Sequence, residues 1–163
     1  MVIDHVKSSS AYFEVYQTPN FSFWDETASR LSNAPLNSSD IVSAEGIGFI
    51  SYALPEIYMH DPLGLTEKYI AQYGKDKSPF GKMDIKYTVT KIKPSIMVWQ
   101  YTGHLRGIDS DILDSEYITY CYGYCYSWHD ADIVMIRKDR AMELAKYFND
   151  WELVTIKDLF ERE

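Results

Sequence analysis

The sequence predicts an α/β fold: a single three-layer-like domain with a mostly parallel sheet and an antiparallel pair of strands towards the C-terminus. Two observations carry this. Strand-like and helix-like segments alternate through the first two-thirds of the chain, the pattern of a parallel layer built from crossover units. In the last third, two strand-like segments follow one another with no helix between them, which suits an antiparallel pair. A length of 163 residues fits one domain with a real core. Residues 1–20 show no period and read as a lead-in, leaving 21–163 as a single soluble α/β domain.

Taken in order, Trp24, Ala28 and Leu31 fall at helical spacing from Phe21 onward, and Asn33-Ala34-Pro35 ends that helix. Ser38-Ser39-Asp40 is a turn signal before a short buried strand, Ile41–Ala44. Gly46 and Gly48 follow it, but a bare G-x-G without a third glycine or a Lys-Ser/Thr does not make a phosphate loop. Their expected role is to start a helix or admit a close neighbour. Glu56–His60 reads as a second strand. Asp61-Pro62 turns the chain, Thr66 is the expected N-cap, and Tyr69, Ile70 and Tyr73 form the apolar side of a helix that Gly74 stops. Lys75–Pro79 reads as a charged loop and Met83–Ile92 as a helix closed by Lys93-Pro94. Ser95–Gln100 is a buried strand and Tyr101–Glu116 a polar loop. Tyr117–Ser127 and Ile133–Ile136 are strands, and Arg140–Phe148 is a helix. Leu153-Val154 and a helical turn close the chain.

The charge balance is −8, from 24 acids against 16 bases, so there is no basic footprint for nucleic acid. No apolar run approaches the ~20 residues that span a bilayer, and no signal-peptide pattern opens the chain. Cytosolic residence and excision from a longer chain both remain open on these grounds. Tyrosine is abundant, 14 residues, and it suits half-wet surfaces, glycan sites and interfaces. Tyr120, Tyr122, Tyr124 and Tyr126 alternate, so they share one strand face, either as a sugar platform or packed beneath a helix. Cys121 and Cys125 are read as two buried thiols in preference to a disulfide, which a turn at Gly123 would be needed to close.

Three groups of residues are candidates for chemistry. His60-Asp61 sits at a strand end, where catalytic groups of open α/β sheets collect. Adjacent strand residues point to opposite faces, so the preferred role for Asp61 is structural, bonding N–H groups of the turn after Pro62. Asp109, Asp111, Asp114 and Glu116 lie within eight residues but miss calcium-loop spacing, so a solvated acidic loop is expected. His104 and His129 join a metal site only if the fold gathers them. Neither metal nor cofactor is expected.

The stretch "AEGIGFISYALPEIYMHDPLGLTEKYIAQYG", then Gly81-Lys82, Tyr87, "KPSIMVW" and "IVMIRKD", resembles a soluble domain at the C-terminal end of certain multispanning bacterial membrane glycosyltransferases. These are polyprenyl-phosphate-sugar-dependent enzymes of the GT-C type, including arabinosyltransferase-like proteins of the actinobacterial cell envelope. The D-x-x-G-L-T-[DE]-x-x-I-A core, carried by Asp61, Gly64, Leu65, Thr66, Glu67, Ile70 and Ala71, is its most specific part. The likeness spans Ile41 to Asp139, roughly three-fifths of the chain. Where family members often carry a Gly-His-Glu-like sequence, this chain has Pro79-Phe80-Gly81-Lys82. The family's catalytic acid lies near a membrane segment that this sequence does not contain, so no catalytic residue carries over. The resemblance implies a non-catalytic accessory domain on the extracytoplasmic face of the cell membrane, part of a longer membrane protein. Its implied partners are its own membrane-spanning domain and a cell-envelope glycan acceptor, with Glu45, His60, Asp61, Trp99 and Tyr101 as the expected contact residues. The alternative is a stand-alone small α/β enzyme using His60 and Asp61 on a polar substrate.

Overall fold

The computed structural model describes residues 19–78, 81–123, 125 and 131–161. Helix α1 (Pro19–Ser32) leads to strand β1 (Ile41–Ala44), helix α2 (Ile47–Ala53) and strand β2 (Tyr58–His60). Helix α3 (Lys68–Tyr73) and a hairpin, β3 (Asp76–Ser78) with β4 (Gly81–Met83), follow. Helix α4 (Ile85–Tyr87) runs into a π turn (Thr88–Ile92) and then strand β5 (Ile96–Trp99). A 3₁₀ turn (Thr102–Gly107) and helix α5 (Ser110–Glu116) lead to strands β6 (Tyr117–Tyr122) and β7 (Asp132–Arg137). Helix α6 (Ala141–Leu144), strand β8 (Glu152–Val154) and helix α7 (Ile156–Glu161) complete the order.

The strands form one six-stranded sheet, ordered β2-β1-β5-β7-β6-β8. β1 pairs parallel with β2 and with β5. From β5 outward every pairing is antiparallel: β5 with β7, β7 with β6, β6 with β8. The fold is therefore α/β with a parallel end and an antiparallel end, and the antiparallel end reaches beyond a single pair to include β8.

Helices cover both faces, which makes three layers. Ile96 and Val98 of β5 and Val134 and Ile136 of β7 face Phe23 and Leu31 of α1, Ile50 of α2 and Leu144 of α6. Met97, Trp99, Ile133 and Met135 face the other way, into Val89, Leu113, Ile156 and Leu159. A strand buried on both faces needs apolar side chains at every position, which is why β5 reads Ile-Met-Val-Trp without alternation. Each such side chain contributes about 1.5–3 kcal/mol when fully buried.

Several local readings are corrected. Within the charged segment after Gly74, Asp76–Ser78 is a strand and not a loop: its backbone pairs Asp76 with Met83 and Ser78 with Gly81. The following helix starts at Ile85 because the Asp84 side chain accepts from Tyr87 N–H. It widens to a π turn that ends with Lys93 N–H on Thr88 C=O, with Lys93 left-handed at φ 53°. The polar stretch 101–116 is mostly helical, with Asp109 as N-cap of α5. Asp114 is not a solvated loop residue, since its two oxygens accept from Ile156 and Lys157 N–H and cap α7. β6 ends at Tyr122, and Tyr124, Tyr126 and His129 lie outside the described residues, as do positions 1–18 of the lead-in. Tyr120 and Tyr122 do share a face, and it packs beneath Phe148 and Trp151.

The cysteines are also corrected. Cys121 and Cys125 form a disulfide with Cα atoms 6.3 Å apart. Gly123 makes this approach possible, because its φ of +73° bends the strand end back on itself. A loop this short still restricts the unfolded chain, by about 2 kcal/mol. Reduction, or the Cys121→Ser/Cys125→Ser double substitution, is expected to lower the unfolding free energy by about 2 kcal/mol in urea titrations. Identical midpoints with and without reductant would show that the bridge is not formed.

Candidate functional site

Because β2, β1 and β5 run parallel, their carboxyl ends meet one edge of the sheet, where ligands of open α/β sheets gather. The chain leaving β1 enters α2 on one face, and the chain leaving β5 enters α5 on the other. A crevice between neighbouring strands with diverging exits is where a binding site is expected. All five residues singled out from the sequence lie at this edge. The structure divides four of them among three separate arrangements and buries the fifth, Trp99.

The first is the corner after β2. Asp61 is buried, 2% exposed. Its Oδ1 accepts from Leu63 N–H at 3.0 Å, and its Oδ2 accepts from Thr66 N–H at 2.6 Å and from the Thr66 hydroxyl at 3.1 Å. Gly64 N–H donates to the Asp61 carbonyl. Gly64 has φ +71°, and a Cβ there would lie 2.7 Å from Ile70 Cγ2, so both conformation and space require glycine. Thr66 is thus bound to the corner and does not cap the helix. The N-cap is Glu67, whose Oε1 accepts from Tyr69 N–H. Leu65 is 71% exposed.

The second arrangement is His60 on Ser43. The two are register partners on β2 and β1, and Ser43 Oγ lies 3.0 Å from His60 Nδ1. His60 is wholly buried, and no described residue hydrogen-bonds its Nε2. Burial holds the imidazole pKa below its ordinary value, against the weaker opposing pull of the Glu67 and Asp61 charges. His60 is a neutral core residue, and its hydrogen bond goes to Ser43 while the Asp61 carboxylate serves the turn.

The third arrangement occupies the crevice. Glu45 directly follows β1. Its Oε2 accepts from Gln100 N–H at 2.9 Å and Tyr101 N–H at 3.0 Å, and its Oε1 lies 2.6 Å from His104 Nδ1. A carboxylate only accepts, so Nδ1 carries the proton of this hydrogen bond. Glu45 and His104 side chains are 9% and 7% exposed, and no described residue hydrogen-bonds His104 Nε2. Tyr101, 37% exposed, sets its ring edge-on to His104 at 4.5 Å. Trp24 Nε1–H donates to Gln100 Oε1, and the Trp24 ring lies where a Cβ on Gly46 would be, 2.9 Å away. Gly46 therefore serves close packing.

Trp99 was expected at the contact surface and is wholly buried. β5 is the fourth strand from the β8 edge and is covered on both faces, so neither orientation of its last residue reaches solvent. His104 and Gln100 were not anticipated as partners of Glu45. Their separations of 59 and 55 residues leave no local signal.

As chemistry, the Glu45–His104 pair is a carboxylate orienting an imidazole, and as mechanics it ties the end of β1 to the segment after β5. Among the described residues no group of three His, Cys, Asp or Glu side chains could hold a metal ion. Comparison with protein-family models, with curated proteins and with solved structures finds no match.

Two outcomes follow from this geometry. Asp61→Ala leaves the buried Leu63 N–H and the Thr66 N–H without their acceptor and is expected to cost about 3 kcal/mol in chemical denaturation. A loss below about 0.5 kcal/mol would mean that the corner does not depend on this carboxylate. For His60, a lowered native pKa means that the unfolded chain binds the extra proton first. Its contribution is fully present above the ordinary imidazole pKa of about 6.5 and is lost as pH falls from there towards the native value. Unfolding free energy measured across that window should rise with pH, and His60→Gln should flatten the rise; an unchanged slope in the variant would assign it elsewhere.

Proposed function

We propose that this chain is a non-catalytic accessory domain of a membrane glycosyltransferase-like protein, standing on the extracytoplasmic side and helping to position a glycan acceptor or a partner. One observation carries the reading: the carboxylates at the catalytic edge of the sheet are engaged in architecture. Asp61 holds two turn N–H groups, and Glu45 holds two more together with His104. The D-P-L-G-L-T-E-K-Y-I-A stretch that carries the family likeness is the same stretch that builds the Asp61 corner. The Cys121–Cys125 disulfide supports an oxidising compartment, where such bonds form and persist. In this reading the membrane-spanning domain belongs to the same longer chain and is the first partner.

A second reading, a stand-alone small enzyme, takes its support from the Glu45–His104 pair and not from His60 and Asp61, because only the former sets a carboxylate on a histidine Nδ1. Export separates the two. The full-length protein in spheroplasts is expected to lose this domain to added protease, with both cysteines resistant to alkylation until reductant is supplied. Protection from protease together with freely alkylated thiols would overturn the accessory reading.

A further inference from the structure

Beside the Asp61 corner, Tyr58, Tyr69 and Tyr87 lie near Glu67, and Tyr73 packs on Tyr69. Tyr58 on edge strand β2, Tyr69 and Tyr73 on α3 are 53%, 40% and 61% exposed, and Tyr87 of α4 is half-buried. They form one continuous group. Tyr69 and Tyr87 stack at 4.0 Å with planes 17° apart, Tyr73 leans on Tyr69 at 5.2 Å, and the Tyr58 hydroxyl lies 3.5 Å from Glu67 Oε2. Glu67 is fixed in place by its other oxygen, which caps α3. Burial, and next to it the Glu67 charge, hold the Tyr58 and Tyr87 phenols above their ordinary pKa, so both keep their protons and can donate.

Ordering aromatic surface in water has a cost unless something covers it, and large exposed patches mark interaction sites. Chemistry narrows what covers this one. Rings with phenol tips offer both a flat apolar face and hydrogen-bonding groups at the rim. The carboxylate among them accepts hydrogen bonds and repels anions. A ligand matching all three features has apolar C–H faces, many hydroxyls and no negative charge. We propose that Tyr58, Tyr69, Tyr73 and Tyr87 around Glu67 are a binding platform for a neutral saccharide, with ring faces stacking on the sugar and Glu67 taking its hydroxyls. This rests on the accessory-domain reading and moves its glycan contact from the carboxyl edge of the sheet to the β2–α3–α4 edge.

The test uses neutral hexasaccharides, cellohexaose and maltohexaose, titrated into the ¹⁵N-labelled protein. The expected result is shift changes centred on Tyr58, Glu67, Tyr69, Tyr73 and Tyr87 with dissociation constants of about 1 mM. Tyr69→Ala/Tyr73→Ala should weaken binding about tenfold with the spectrum otherwise folded. Met142→Ala, at a fully exposed position on α6, should leave it unchanged. No shift with either sugar, or equal affinity in the double variant, overturns the platform. Shifts centred on Tyr101 and His104 also overturn it while leaving the accessory reading intact, since that reading stands or falls on export and the disulfide.

Discussion

Once helices cover both faces of the sheet, many backbone groups at the strand and helix ends are partly or wholly shielded from water, and side chains supply their partners. This requirement accounts for the carboxylates at the ends of the strands and helices. Glu45 serves the amides after β5, Asp61 those after β2, and Asp114 those that open α7. The Tyr117 hydroxyl donates to Pro94 C=O, and burial keeps that phenol protonated. Arg137 donates to Lys93 C=O, where the chain turns left-handed before β5. Buried Asp40 holds Asn37 N–H just before β1 and receives Arg140 from the turn after β7 through Nε and Nη2. Removing one member of such a pair leaves the other charge buried and alone, which costs far more than the pair contributes.

Seen this way, what could be read from the sequence depends on how far a residue's partner lies along the chain. The Asp61 corner is legible because its acceptor and donors are two and five residues apart. α1 is legible because Trp24 and Leu31 repeat at helical spacing and both are buried. β1, β5 and β7 announce themselves as apolar runs. α5 does not: it buries only Leu113 in seven residues, so it has no period to detect. The β3–β4 pair depends on backbone pairing, in a segment whose composition suggests a charged loop. The Glu45 clasp joins residues more than fifty positions apart. Trp99 and His60 misled for another reason. A strand end implies exposure only when one face is open, and here neither is.

The division of the sheet explains why its most suggestive crevice is closed. Parallel pairing at β2-β1-β5 brings three carboxyl ends together, and the exits of β1 and β5 diverge to opposite faces, so a cleft should open between them. Glu45 points into that cleft, and its three hydrogen bonds draw the β5 exit onto β1. A ligand entering there would have to replace all three, each worth about 1.5–3 kcal/mol for a charged acceptor. At the β2 edge the corner's hydrogen bonds are satisfied within the turn itself, and Tyr58, Tyr69 and Tyr73 are exposed. Three carboxylates thereby have two kinds of work: Asp61 and Glu45 accept from backbone N–H groups, and Glu67, fixed by one oxygen, keeps the other near the Tyr58 hydroxyl. A ligand is bound at least cost where the scaffold is already complete, which is why the proposed saccharide contact is sought at Tyr58, Tyr69, Tyr73 and Tyr87 before the Glu45 crevice.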